Sequence, residues 1–240
     1  MKQDIKYFFT KFIVNFCIIY SFLSFAGFVL YKGKKMSHGT VIVLNGPSGS
    51  GKSSIQKEFQ KLMMPNLWIK VGIDNLFDGV MPDITPENMS FWQSANPIRW
   101  VEESQDKVGN KIITLLVGQQ GEKVAYAMNS AIVAYAQSGC NVIVDYIAYK
   151  QEWFEDLQEK LKNIKTYYVA VDIPLDVLEQ REESRGTSPK GHARSHYFTV
   201  YGDKKYDLRV SSQENSAQEI AQELKVLIEK DSLKKGSGGL

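Results

Sequence analysis

A glycine-rich octapeptide at residues 46–53 constrains the fold more than any other feature of the chain. It has the sequence GPSGSGKS and fits the pattern GxxxxGK[ST]. An apolar run at 40–44 precedes it, and a helix-forming run at 52–63 follows it. This context predicts a phosphate-binding loop, because glycines let backbone N–H groups turn inward at a helix N-terminus and form an anion site. The alternative is a Gly/Ser connection that only joins a strand to a helix.

Two side chains of this loop have predicted roles in holding a triphosphate. Lys52 is expected to lie along the β- and γ-phosphates of a bound nucleotide, and the Ser53 hydroxyl is expected to bind Mg²⁺. The other residues expected to bind the nucleotide lie in the same segment, and they are Gly46, Ser48, Gly49, Ser50, Gly51 and Ser54. The sequence therefore predicts ATP and Mg²⁺ as ligands.

After Met36 the chain alternates short β-branched runs with amphipathic segments, which predicts a parallel sheet covered by helices on both faces. Strand candidates span 40–44, 68–73, 141–145, 165–171 and 206–210, and helix candidates span 52–63, 122–137, 150–161, 175–185 and 213–230. Between residues 79 and 120 the pattern changes, and strands at 98–103 and 111–117 predict a hairpin. We therefore expect an α/β fold of the P-loop NTPase type, nucleotide-kinase-like, with a five-stranded parallel sheet, a lid and a hairpin insertion.

Two aspartates end predicted strands, at the edge of the sheet where such folds bind ligands. Asp145 closes the run NVIVD and is expected to hold the Mg²⁺ through water. A helix cap or a loop acid is its alternative role. Asp74 closes VGID and is expected to orient an acceptor hydroxyl and to take its proton during phosphoryl transfer. Alternatively, Asp74 caps a helix that begins near Asn75.

Arg181 and Arg185 are spaced to lie on one face of a predicted helix, just before a turn at 186–191. This arrangement predicts a lid whose guanidinium groups neutralise charge on the transferring phosphoryl group and whose closure excludes water. The alternative is a solvated helix on which the two arginines pair with neighbouring acids. These acids are Glu179, Glu182 and Glu183.

Charge and histidine spacing exclude two classes of ligand. Residues 1–35 hold six of the 29 basic and one of the 27 acidic residues, so residues 36–240 carry a net charge of −3. A nucleic-acid-binding surface needs a basic excess to neutralise phosphates, so nucleic acid is not an expected partner. His192 and His196 have helical spacing but no third metal ligand near them in sequence, so zinc is not expected. The charge balance favours a small-molecule substrate.

Residues 1–35 form an apolar N-terminal segment with three interpretations. The uncharged run 12–31 is long enough to cross a membrane as a helix, which predicts an anchor. Small residues at Ser24 and Ala26 are also consistent with a cleaved signal peptide. In the third interpretation translation starts at Met36, because bacterial codons for the preceding KGKK would form a purine-rich ribosome-binding site, and residues 1–35 are then a spurious translated leader.

The predicted organisation is therefore this apolar segment, a globular domain at 36–232 and a disordered tail at 233–240. We expect a cytoplasmic protein, which meets the inner face of the membrane only if residues 12–31 are genuinely translated.

Five motifs follow one another between residues 39 and 220. They are VIVLNGPSGSGKSS at 41–54, VGIDNLF at 71–77, GCNVIVDYI at 139–147, REESRG at 181–186 and YDLRVSS at 206–212. In this combination they resemble the chloramphenicol phosphotransferase-like family of P-loop kinases. The resemblance implies ATP-dependent phosphorylation of a hydroxyl group on a small molecule, with Asp74 as the base and Arg181 and Arg185 in the lid. The chain departs from the family pattern at Tyr146, where a second acid is expected, and in the GTS that follows Arg185.

Three functions are consistent with these motifs. The first is a magnesium-dependent transfer of phosphate from ATP to a small-molecule hydroxyl group. The second is a nucleoside or nucleotide kinase of the same architecture, and the third is a regulator that binds ATP without transferring phosphate. Asp74 favours transfer, because a binding module needs no base beside the γ-phosphate.

Overall fold

The computed structural model of the protein describes residues 37–72 and 81–236. Asp74 and the apolar run 12–31 lie outside the described residues, as does the end of the tail at 237–240. Within the described ranges, no helix combines the length and the apolar character that crossing a membrane requires.

Seven strands are present in the described residues. They are β1 (Val41–Asn45), β2 (Trp68–Gly72), β3 (Ile98–Gln105), β4 (Lys111–Val117), β5 (Asn141–Tyr146), β6 (Thr166–Asp172) and β7 (Leu208–Ser211). Five of them form one parallel sheet in the order β2–β5–β1–β6–β7, and β3 and β4 form an antiparallel hairpin. The predicted α/β fold with a five-stranded parallel sheet and a hairpin insertion is confirmed.

The same residues form seven helices. They are α1 (Lys52–Met63), α2 (Met89–Gln93), α3 (Gln119–Gln137), α4 (Gln151–Leu161), α5 (Leu175–Arg185), α6 (His192–Tyr197) and α7 (Ala217–Gly236). The short helices α2 and α6 were not predicted, because five or six residues are too few to display a helical period. Helix α7 continues to Gly236, into the segment 233–240 that the sequence predicts to be disordered. Once a helix is nucleated by packing, each further residue adds a hydrogen bond at little cost.

Strand β1 lies in the centre of the sheet, between β5 and β6. All of its residues are buried. Val41 and Val43 belong to a core cluster with α3 and α4, whereas Ile42 and Leu44 belong to a second cluster with α1 and α7. Because successive side chains of a strand point to opposite faces, helices cover both faces of the sheet. The strand that leads into the phosphate-binding loop is therefore enclosed on both faces.

Helix α1, which follows the loop, is fixed to the sheet by polar and aromatic contacts. The buried Gln56 side chain donates hydrogen bonds to the carbonyl oxygens of Val71 and Ile143, each at 2.9 Å. The ring of Phe59 packs edge-on against that of Trp68, with centroids 5.0 Å apart. These contacts fix α1 against β2 and β5.

The hairpin lies against the segment that carries α6. The N–H of Ile113 in β4 donates a hydrogen bond to the carbonyl oxygen of Gly191, at 3.2 Å. Gly191 has φ of 96°, and a Cβ at this position would lie 2.3 Å from the carbonyl oxygen of Lys111. Only glycine fits here, both for its backbone conformation and for the closeness of the two chains.

Candidate active site

The octapeptide at 46–53 forms a tight loop between β1 and α1. Gly49 and Gly51 have φ of 89° and 93°, a left-handed conformation that side chains disfavour. The N–H of Ser50 donates a hydrogen bond to the carbonyl oxygen of Pro47 at 3.1 Å, which closes the turn. The left-handed backbone conformation explains why glycines occupy these two positions of the motif.

Lys52 is buried, with 3% of its surface exposed, and its ammonium group contacts the loop. Its Nζ donates hydrogen bonds to the carbonyl oxygens of Gly46 and Pro47, both at 2.9 Å. The same atom lies 3.4 Å from a carboxylate oxygen of Asp145. These partners offset the cost of burying the charge. A fixed positive charge therefore stands at the base of the loop.

Ser53 and Asp145 meet beside this lysine. The Ser53 hydroxyl donates a hydrogen bond to Asp145 Oδ2 at 2.6 Å. Asp145 lies near the end of β5, directly beside Leu44 of β1, which places its carboxylate next to the start of the loop. Hydroxyl and carboxylate oxygens are ligands that Mg²⁺ prefers, and this ion usually takes one or two protein groups together with phosphate oxygens and water. The donor set fits that ion.

A cavity of about 760 Å³ opens beside the loop. Four segments line it: the loop with the first turn of α1, the end of β5 with Ile147 after it, helix α5, and residues 212–220. The cavity volume falls within the range of about 300–1,000 Å³ that is usual for small-molecule sites. The segment 212–220 was not predicted as part of the site, because its Ser and Asn side chains resemble those of any loop before a helix.

Arg181 and Arg185 both line this cavity. Arg181 donates hydrogen bonds to the side chain and the carbonyl oxygen of Ser212, at 3.2 and 2.9 Å. Its Nη1 also lies 3.8 Å from where a Cβ on Gly51 would stand, and Arg185 Nη1 lies 3.9 Å from the same point on Gly49. Two guanidinium groups therefore approach the glycines of the loop.

The glutamates of α5 contact groups other than these arginines. Both carboxylate oxygens of the buried Glu182 accept backbone N–H groups, from Gly191 at 2.8 Å and from Ala193 at 2.7 Å. The other two form ion pairs, Glu179 with Arg194 and Glu183 with Lys190. The solvated helix with arginine–glutamate pairs, considered as an alternative from the sequence, is not the arrangement observed.

Two histidines of α6 lie behind the loop, and no functional role is predicted for them from the sequence. His196 Nε2 accepts a hydrogen bond from the N–H of Ser48 at 3.1 Å. Burial, with smaller contributions from the positive charges of His192 and Lys52, holds the pKa of His196 well below its usual value. Burial also lowers the pKa of His192 to about 4, although a backbone hydrogen bond with Ile113 partly opposes the shift. Both rings are therefore neutral at pH 7.

The predicted site residues fall into two groups. Lys52, Ser53, Asp145, Arg181 and Arg185 are brought together at one cavity. The loop residues Ser48, Gly49, Gly51 and Ser54 also line it, and Gly46 and Ser50 contact the Lys52 ammonium. Asp74 lies outside the described residues, so its predicted role as the base stays a prediction.

Comparison with known proteins gives a family match and a named relative. The model of the chloramphenicol phosphotransferase-like proteins matches residues 39–229. A Mycobacterium tuberculosis protein, provisionally named an O-phosphotransferase, is 28% identical over 189 residues, which cover 79% of this chain and 82% of that protein.

Two solved structures share the fold. The Mycobacterium tuberculosis APS kinase CysC in complex with AMPPNP and APS has a TM-score of 0.52 at 19% identity, covering 80% of this chain and 98% of that one. A gluconokinase from Sinorhizobium meliloti 1021 has a TM-score of 0.52 at 16% identity, covering 85% of this chain and 99% of that one. At these sequence identities, the similarity shows a shared fold alone.

The buried histidines predict a stability that falls in acid. Since the folded pKa of His192 is about 4 and the usual value is 6.5, the unfolded chain binds the proton first as the pH decreases. The contribution of the neutral ring to the free energy of unfolding is complete above about pH 6.5. It is lost as the pH falls from about 6.5 to about 4, at up to about 1.4 kcal/mol per pH unit. Urea unfolding at several pH values measures this slope.

In the variant His192→Gln, the free energy of unfolding should depend less steeply on pH in this range. The decrease should correspond to about one fewer proton bound on unfolding. His38, which is exposed, provides the control when it is substituted in the same way. An unchanged slope in the His192 variant would contradict the assignment of a buried neutral ring.

Proposed function

The chain belongs to the chloramphenicol phosphotransferase-like family, and we propose that it transfers the terminal phosphoryl group of ATP to a hydroxyl group of a small molecule. One observation carries the proposal: a buried lysine, a serine–aspartate pair and two arginines converge on a single cavity beside a phosphate-binding loop. A protein that only binds ATP needs an anion site. Phosphoryl transfer also needs positive charge around the transferring group, and the two arginines supply it.

ATP is proposed to bind with its phosphates against the loop. The N-terminus of α1 and the backbone N–H groups of the loop before it supply partial positive charge there. Lys52 adds a full charge that is already desolvated and fixed, so little reorganisation is needed when the triphosphate arrives. Residues 212–220 and α5 form another part of the cavity wall, and the nucleoside is proposed to lie against them.

Ser53 and Asp145 are the residues that would hold Mg²⁺. Bound there, the ion would screen the negative charge of the β- and γ-phosphates. The protein supplies the two oxygen ligands as a preassembled pair, since the Ser53 hydroxyl already lies 2.6 Å from the carboxylate.

The transfer itself forms one bond and breaks another. The acceptor oxygen attacks the γ-phosphorus, the bond between that phosphorus and the β–γ bridging oxygen breaks, and ADP leaves. Asp74 is proposed to orient the hydroxyl group and to take its proton. Arg181 and Arg185 are proposed to stabilise the negative charge on the equatorial oxygens, and closure of α5 over the site would exclude water.

The acceptor class is open to direct measurement. Hydroxyl-bearing metabolites, antibiotics and nucleosides are each added to the protein with MgATP, and the release of ADP is followed. Stimulation by one compound class identifies the acceptor, and stimulation by nucleosides alone would replace the small-molecule proposal with a nucleoside kinase. Binding of MgATP without stimulation by any class would favour a regulator.

Substitution of Lys52 tests the nucleotide site. Lys52→Ala removes the fixed charge at the base of the loop, so MgATP turnover should fall by about 10²–10³-fold, as when a preorganised group is removed from an active site. The matched control is Lys57→Ala on the same helix, whose side chain is exposed and should be replaceable without loss. Normal turnover in the Lys52 variant would remove the assignment of this loop to ATP.

Substitution of Asp74 separates transfer from binding. Asp74→Asn keeps the size of the side chain but removes the proton acceptor, so calorimetry should find unchanged MgATP affinity while acceptor-stimulated ADP release is lost. The exposed Asp83→Asn is the control. Transfer at the normal rate in the Asp74 variant would leave Asp74 as a helix cap.

A further inference from the structure

One side chain contacts the phosphate-binding loop from outside the cavity. His196 is 4% exposed and is not among the residues that line the cavity. Its Nε2 nevertheless accepts the backbone N–H of Ser48 at 3.1 Å. The histidine lies in α6, far along the chain from the loop, so the contact exists only because the fold brings α6 there.

The hydrogen bonds around the ring define its tautomer. Because Nε2 accepts the Ser48 N–H, a neutral ring must carry its proton on Nδ1. Nδ1 lies 3.4 Å from the Ser195 hydroxyl oxygen, and that hydroxyl donates its own proton to the carbonyl oxygen of His192 at 2.7 Å. The chain of donors and acceptors is consistent only with the Nδ1-protonated ring, which is the form that can support the loop.

The peptide unit that joins Pro47 to Ser48 is held at both ends. Its carbonyl oxygen accepts hydrogen bonds from Lys52 Nζ at 2.9 Å and from the Ser50 N–H at 3.1 Å. Its N–H group donates to His196. Since the peptide bond is planar, partners on both its C=O and its N–H fix the orientation of the whole unit.

Hydrogen bonds and ion pairs fix the position of helix α6, which carries His196. Glu182 accepts the N–H groups of Gly191 and Ala193 at the start of this helix. Arg194 forms ion pairs with Glu179 in α5 and with Asp106 in the turn of the hairpin, at 2.6 and 2.8 Å.

Aromatic rings enclose the imidazole. The ring of Tyr149 packs edge-on against that of His196 at 4.8 Å, and the His192 ring lies 5.0 Å away. The contact with Ser48 is therefore made by a side chain that has little freedom to move.

We propose that His196 is a positioning residue for ATP binding: together with Lys52 it fixes the peptide unit between Pro47 and Ser48, and so the direction of the loop N–H groups that follow. The inference rests on the proposed function, because it assigns the histidine a part in forming that ATP site. Without the ring, the Ser48 N–H loses its acceptor and turns to another partner or to water, and the loop loses its prepared shape.

Titration of MgATP into four proteins by calorimetry tests the role. In His196→Leu the acceptor is lost, and MgATP should bind about five- to tenfold more weakly, the effect of one net hydrogen bond. In His196→Gln the side-chain oxygen can reach the position of Nε2, and affinity should return to within about twofold of the wild type. His192→Gln is the matched control, since it changes a buried histidine of the same helix that contacts Tyr149 rather than the loop.

The four proteins separate the possible failures. If wild-type protein does not bind MgATP, the proposed function is wrong. If wild type binds and His196→Leu binds equally well, the proposed function stands and the positioning role is overturned. The role is also overturned if His192→Gln weakens binding as much as His196→Leu does. It is overturned likewise if His196→Gln fails to restore affinity, because either result indicates general damage to α6.

A spectroscopic readout addresses the hydrogen bond itself. In ¹⁵N-labelled wild-type protein, a scalar coupling should connect the Ser48 amide nitrogen with Nε2 of His196, and the ring should have the nitrogen shifts of the Nδ1-protonated tautomer. A protonated Nε2 at pH 7 would contradict the proposal, whatever the binding data.

Discussion

The buried ammonium of Lys52 joins parts of the molecule that are distant in sequence. It contacts carbonyl oxygens at the start of the loop and the carboxylate of Asp145 on the neighbouring strand. A charge in this position is tolerable only if each of these partners is in place, since an unpaired buried charge costs several kcal/mol, on the order of 3–5. The ends of β1 and β5 and the start of α1 must therefore come together for the domain to fold, and the same meeting point is the proposed phosphate site.

Neighbouring elements hold the phosphate-binding loop from two sides. On the sheet side, Gln56 joins α1 to β2 and β5, and helices cover both faces of the central strand. On the opposite side, Glu182 holds the start of α6, and α6 presents His196 to the loop. A loop with glycines at its turns has little stiffness of its own. Its shape is maintained by neighbours on both sides.

Local pattern was sufficient to predict the strands of the sheet and the helices that cover it. The bounds of α1 and α5 are those predicted, because apolar spacing and helix-breaking residues mark their ends. Gly51 precedes α1, and Pro174 and Gly186 flank α5. The GxxxxGKS pattern likewise predicted which residues would share a loop, and the ends of parallel strands predicted that Asp145 would lie near it.

Contacts between distant segments could not be predicted in this way. The bond between His196 and Ser48 and the ion pairs of Arg194 depend on where a six-residue helix is placed by its neighbours. Such a short segment has no periodicity to detect, and its partners lie in the phosphate-binding loop, in the hairpin and in α5. Helix α7 also extends beyond its predicted end at 230, because tertiary packing can sustain a helix through polar residues that would not form one alone.

The close approach of Gly191 to strand β4 limits the changes in sequence and size that the hairpin can accept. With no space for even one methyl group between this glycine and β4, a shift of the hairpin toward α6 cannot be absorbed at their boundary. An inserted or enlarged side chain at that boundary would displace the short helix, and with it the ring that faces Ser48. A change in the size of the hairpin is therefore compatible with an intact proposed nucleotide pocket only on the surface of the hairpin that points away from Gly191.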